Sequence, residues 1–281
     1  MKRIIKIAAF VLAAIVLFSA FDRIPAAVNE FFKEKEGGKT LVSSDKSHGG
    51  ALVLVNGEHS YFDVGEKIVK LYEKKTDSFF MASTEIELNE RAVKPLCDML
   101  DAFRDETGLK KINVISGYRS VESQQEIYNQ KAFKYGNIYA KKYVQSPGSS
   151  EHHTGLCVDL SIYNAEDGSS SDFDGTGDYS WFSKNAQRFG FVLRYPKEKE
   201  KITGIGYEPW HFRYVGVAHA TFMAENGLCL EEYITLLQSK TKKNPLEIKL
   251  GNKTVKVWHT SKKPKSGNFS GDNCGGYIIW K

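Results

Sequence analysis

Apolar residues follow three different rhythms along the chain. Ile4 to Ala20 is an almost unbroken apolar run, interrupted by the charge of Lys6 and by Ser19 near its end, and preceded by Lys2 and Arg3. That pattern predicts an export signal or a membrane anchor. Cleavage after Ala20 would put bulky Phe18 where a small residue is preferred, so the expectation is an uncleaved single-pass anchor in the cell membrane with an extracytoplasmic domain. Secretion after cleavage is the alternative. Residues 21–50 are polar and dotted with glycine, which predicts a tether. Ala51 to Val55, Asn56-Gly57 and Tyr61-Phe62 then predict a hairpin inside an N-terminal flap spanning 51–84.

A helical rhythm takes over between Asn89 and Thr107, where Ala92, Val93, Leu96, Met99, Leu100 and Phe103 share one face. Pro95 predicts a distorted first turn or a late start. A strand is expected over Lys111–Ser116, then a helix from Val121 to about Tyr135 capped by Ser120. Further strands are expected at Leu156–Leu160, Gly190–Pro196 and Trp210–Val215, and helices at Trp181–Phe189, Val217–Asn226 and Leu230–Leu237. Leu246–Leu250, Val255–Val257 and Tyr277–Ile279, with Gly251-Asn252 and Gly275-Gly276 between them, predict a short β-rich extension. The sum is an α+β fold: a small, mostly antiparallel sheet with flanking helices over 85–238, and an appendage over 239–281.

Composition changes this picture little. At 281 residues the chain can bury a sizeable core. The net charge of +5 is uneven, because nine Lys stand against one Glu between Ser239 and Lys265. The rest of the chain is therefore slightly acidic. No nucleic-acid partner is expected; a basic strand face in the extension would suit anionic wall polymers. Cys97, Cys157, Cys229 and Cys274 form no CxxC pair. A bridge between Cys229 and Cys274 is conceivable, and Cys157 is expected to point away from Asp159.

The chemistry concentrates in Ser150-Glu151-His152-His153-Thr154-Gly155-Leu156-Cys157-Val158-Asp159 and in Glu208-Pro209-Trp210-His211. Two imidazoles and a carboxylate, His152, Asp159 and His211, make a zinc donor set that leaves a position for water. Glu208, three residues before His211, suits the general base for that water. Asp172 to Gly175 lacks the spacing of a calcium loop and reads as a solvated loop.

With Ser116-Gly117-Tyr118-Arg119-Ser120 ahead of them, these blocks resemble the VanY-like zinc D-alanyl-D-alanine carboxypeptidases over roughly Glu85 to Gln238. Two positions depart from the usual family pattern: His153 follows the first ligand, and Cys157 replaces an alanine. The resemblance implies that Arg119 holds the substrate's terminal carboxylate or the scissile carbonyl, with Gln124 assisting. It also places Ser150, Ser146 and Trp210 against substrate. Arg194 and Arg213 are the other candidates for carboxylate recognition. The implied activity is removal of the terminal D-alanine from peptidoglycan stem peptides. L,D-carboxypeptidase action, a D,D-dipeptidase and an inactive wall-binding module remain as alternatives. An anchored enzyme argues against the dipeptidase, and a complete set of ligands plus Glu208 argues against the inactive module.

Overall fold

The computed structural model describes residues 40–164 and 166–281. The apolar run at Ile4–Ala20 and most of the expected tether lie outside the described residues. Among the described residues, no helix is long and apolar enough to cross a membrane.

Helix α1 spans Glu90–Thr107, with the Asn89 side chain accepting from Arg91 N at its start and Gly108 in the left-handed region at its end. Pro95 lies inside this helix without breaking it. Proline removes one backbone donor, but burial of Ala92, Val93, Leu96, Met99, Leu100 and Phe103 holds the helix in place. The expectation of a late start was therefore too cautious.

That apolar stripe packs on one face of a sheet built from β1 (Phe80–Met81), β2 (Ile112–Ser116), β3 (Cys157–Tyr163), β4 (Ser170–Ser171), β5 (Phe191–Leu193) and β6 (His211–Tyr214). The strand order is β1-β2-β3-β6-β5, with β4 beside β3. Only the β1–β2 pairing is parallel, so the sheet is mixed and mostly antiparallel, as expected. Side chains alternate across a strand. Val158 and Leu160 of β3 and Phe212 of β6 therefore join α1 in the core. Cys157 and Asp159, with His211 and Arg213, occupy the opposite face.

Helix α2 (Val121–Tyr135) is capped by Ser120, and a short helix α3 (Asn137–Tyr143), which the sequence reading missed, follows it. Helices α4 (Val217–Asn226) and α5 (Leu230–Gln238) close the domain, with Gly227 as a left-handed cap after α4. The extension forms a four-stranded antiparallel sheet from β7 (Leu246–Leu250), β8 (Lys253–Thr260), β9 (Asn268–Gly271) and β10 (Tyr277–Trp280), in the order β7-β8-β10-β9. Ile248, Val257 and Ile278 share a core with Leu230, Tyr233, Ile234 and Leu237. The extension is thus packed onto the preceding helices through a shared apolar core.

Two N-terminal expectations fail. Residues 51–55 form no hairpin with Tyr61-Phe62. Leu52, Val53, Leu54 and Val55 are all buried, and their backbone partners come from elsewhere: Arg213 donates to Ala51 O and Val53 O, and Leu54 N donates to Asp272 O. A turn does close between Asn56 and His59. The end of the expected tether is also packed. Ser47, Gly49 and Gly50 are buried, and Gly271 lies so close to the Ser47 backbone that a side chain would collide with it.

Candidate metal centre and active site

The first histidine is positioned by a short 3-10 turn, Glu151–Thr154. Ser150 Oγ accepts from His152 N, Thr154 Oγ1 donates to Glu151 O, and Gly155 ends the turn with φ +65°. A Cβ at Gly155 would meet Asn89 N at 2.6 Å, so this glycine serves both the turn and its close approach to the start of α1. His152 Nδ1 lies 2.6 Å from Gly117 O. Donation to that carbonyl fixes the tautomer and leaves the Nε2 lone pair free, 3.2 Å from Asp159 Oδ2.

His211 arrives through strand pairing, since its Cα partner on β3 is Asp159. Its Nδ1 is 2.9 Å from Asp159 Oδ1. One carboxylate thus reaches both imidazoles, all three groups coming to one side of the sheet. Two nitrogens and a carboxylate oxygen are the donor chemistry of a catalytic zinc site, and the three residues fit that ion.

Glu208 is not in the strand itself. It sits in the turn before it, with its N–H donating to Tyr195 O and its carbonyl accepting from His211 N. Its carboxylate is 3.7 Å from His211 Nδ1. Burial, reinforced by the Asp159 charge and opposed by His211, pushes its pKa up to about 7.

His153 is no ligand. Its Nδ1 lies 2.7 Å from Arg119 O, and its Nε2 accepts from Gly148 N. Burial lowers its pKa to about 4, and the neutral ring joins the loop before the site to the backbone of Arg119.

The Arg119 guanidinium is held by donation to Gln124 Oε1 at 2.7 Å and to Ser116 Oγ at 2.8 Å, and it stands 3.9 Å from Asp159 Oδ2. Gln124 is buried, and its amide nitrogen is spent on Gln145 O. It braces Arg119, with one hydrogen bond at each polar atom of its amide. Arg119, Gln124, Ser150, His152, Asp159, Glu208, Trp210 and His211 line one cavity of about 240 Å³. Ser146 does not. It lines a larger neighbouring cavity of about 770 Å³, which shares Val144 and Gln145 with the first.

Five residues stand differently from what the sequence led one to expect. Cys157 is two places from Asp159, and residues i and i+2 of a strand share a face. It therefore points toward the site, with its thiol within 4.8 Å of donor atoms on both imidazoles. Asp159 reaches the same two rings, at 3.2 Å from His152 Nε2 and 2.9 Å from His211 Nδ1. All four cysteines are free. Tyr195 is buried, lines the cavity and has its ring 5.0 Å from that of His211; its place in a β5-flanking run hinted at none of this. Glu151 is wholly buried. Arg194 Nε and Arg213 Nη1 donate to its Oε1 at 2.7 and 2.6 Å, and Arg194 also binds Glu231. Arg194 and Arg213 are 1% and 0% exposed, so neither can receive a substrate carboxylate.

A sheet with a His/Asp/His donor set, a buried carboxylate beside it and an arginine across a shared cavity defines a metallopeptidase architecture. The family model described as "VanY: D-alanyl-D-alanine carboxypeptidase" matches residues 85–217, and the chain belongs to this family. A D-alanyl-D-alanine carboxypeptidase of Enterococcus faecalis is 44% identical over 148 residues, 50% of this chain and 52% of that protein. The chain therefore spans about half the length of that relative. The vancomycin-resistance D,D-dipeptidase VanXYg, solved with a D-Ala-D-Ala phosphinate analogue, superposes with a TM-score of 0.73 at 30% identity, covering 84% of this chain and 96% of that one. A mutant of the D,D-pentapeptidase VanY, solved with Zn(II), superposes with a TM-score of 0.54 at 36% identity, covering 66% of this chain and 98% of that one.

Proposed function

We propose that this protein is a zinc-dependent D,D-carboxypeptidase that removes the C-terminal D-alanine from peptidoglycan stem peptides. The observation that supports this most strongly is the convergence of Arg119, Glu208 and the His152/Asp159/His211 donor set on one cavity. Zinc, held by those three residues, would polarise the scissile carbonyl and make water a nucleophile near neutral pH. Glu208 accepts the proton of the attacking water and returns it to the leaving amine, a role that suits a carboxylate whose pKa is raised toward neutrality. Arg119, pre-oriented by Gln124 and Ser116, binds the terminal carboxylate or the developing oxyanion. Ser150 shapes the loop under the substrate, and Trp210 forms part of the cavity wall. The apolar run at Ile4–Ala20 supports anchoring to the cytoplasmic membrane with the catalytic domain outside. The exposed lysines between Ser239 and Lys265 support contact with anionic wall polymers.

A carboxypeptidase must sense a free C-terminal carboxylate, and a braced guanidinium does so through paired charge-assisted bonds. Amidating the C-terminus of a stem pentapeptide should therefore remove most of the wild-type kcat/KM. In Arg119→Ala the amidation penalty should shrink, because its partner is already gone. With Arg194 and Arg213 buried, an undiminished penalty in Arg119→Ala would leave carboxylate recognition without an arginine and refute this assignment.

A further inference from the structure

Two buried polar atoms face each other behind the metal ligands, each without a hydrogen-bond partner: Glu151 Oε2 and His211 Nε2. They are 3.6 Å apart, on side chains that are 0% and 4% exposed. An unpaired buried carboxylate oxygen and an unpaired buried imidazole nitrogen are each costly. Their juxtaposition points to one shared role.

The other oxygen of Glu151 is fully used, accepting from both Arg194 and Arg213. Those arginines are themselves fixed, Arg194 by Glu231 and Arg213 by the carbonyls of Ala51 and Val53. The carboxylate therefore cannot swing away from His211. Two guanidiniums donating to one carboxylate favour its charged, proton-accepting form. A neutral imidazole carries one N–H. When Nδ1, which faces Asp159 and the cavity, gives its lone pair to a metal, the proton must reside on Nε2. A buried carboxylate is the strongest available acceptor for it.

We infer that Glu151 is a positioning residue for His211, closing onto its Nε2–H when Nδ1 takes a cation, an inference that rests on the zinc reading above. At 3.6 Å the pair is too long for a hydrogen bond, and the closure needs only a few tenths of an ångström. Glu151 borders the same cavity, but its charged oxygens are taken up by the two arginines and by His211, so its role runs through that ring. Partners of this kind fix the tautomer and ring orientation of a ligating histidine, and their loss costs about 10- to 100-fold in metal affinity. The competing neighbour of His211 is the Cys157 thiol, a much weaker acceptor.

The test uses the detergent-solubilised full chain, loaded with zinc and labelled with 15N-histidine. Zinc stoichiometry is measured first: a wild-type chain that binds no zinc overturns both the zinc reading and this inference. With zinc bound, His211 should show a metal-shifted Nδ1 and a protonated Nε2 whose proton is far downfield and slow to exchange. In Glu151→Gln, where an amide donor can face the ring, that proton should lose its downfield shift. Zinc affinity, measured by competition with a chromophoric chelator, should fall about 10- to 100-fold. Cys157→Ala should change neither. A purely structural role for Glu151 would lower thermal stability while leaving the zinc affinity of the folded fraction and the Nε2 proton untouched, and that result would overturn the inference. So would an unprotonated Nε2 in the zinc-loaded wild type, a measurement that does not depend on any variant folding. A Nε2 proton that shifts in Cys157→Ala would transfer the role to the thiol and equally overturn it.

Discussion

Glu208→Gln should retain zinc and fold while losing about a hundred- to ten-thousand-fold in turnover, the usual worth of a positioned proton acceptor. The amide matches the carboxylate in size and removes only its basicity, so stability should change little. The pH profile carries the same information. Glu208 must be ionised to accept a proton, so kcat/KM should rise with pH as it deprotonates. Its pKa is raised to about 7 by burial first and by Asp159 second. A cation beside it favours the ionised form, so the acid limb should have an apparent pKa at or below 7. Steady-state kinetics on the metal-loaded variant check both statements; near-wild-type turnover in Glu208→Gln would remove this residue from the chemistry.

The second large effect concerns stability. Arg194→Ala strips Glu151 and Glu231 of a buried partner, since Arg194 donates to Glu151 at 2.7 Å and to Glu231 at 2.6 and 2.8 Å. Removing one member of a buried ion pair leaves an uncompensated charge and typically costs about 3–5 kcal/mol. Chemical denaturation should report a loss of that size, although Arg194 lies outside the catalytic cavity. The network is also acid-labile. Glu151 is held below its unfolded pKa, so its stabilising contribution is present above the ordinary glutamate range and is lost as pH falls through and below it. If Arg194→Ala were to abolish carboxylate recognition while leaving stability unchanged, the buried-network account would be wrong.

The proposed metal ligands and Glu208 could be picked out in the sequence because their spacing is local: His152 and Asp159 lie seven residues apart around one turn, and Glu208 precedes His211 by three. Strand pairing of Asp159 with His211 was the one long-range step, and three motifs in order were enough to anticipate it. The Arg194–Glu151–Arg213 cluster was illegible for the opposite reason. Its members come from a turn, the end of β5 and β6, and no periodicity links them. Both arginines instead looked like spare carboxylate binders. Cys157 was a failure of parity, since a separation of two already places it beside Asp159. The absent hairpin at 51–55 reflects a segment whose hydrogen bonds go to Arg213 and to Asp272 near the end of the chain, partners that a local turn signal cannot reveal. His153 could be told from His152 only once Arg119 O and Gly148 N were seen to occupy both its nitrogens.

Mass spectrometry of pentapeptide muropeptides, incubated with the metal-stripped chain before and after zinc is restored, tests the central claim most directly. Loss of one terminal alanine should occur only with zinc, should survive His153→Ala, and should vanish together with bound zinc in His152→Ala and His211→Ala. Alanine release that is indifferent to zinc, zinc that stays bound without His152 and His211, or cleavage at an internal bond would contradict it.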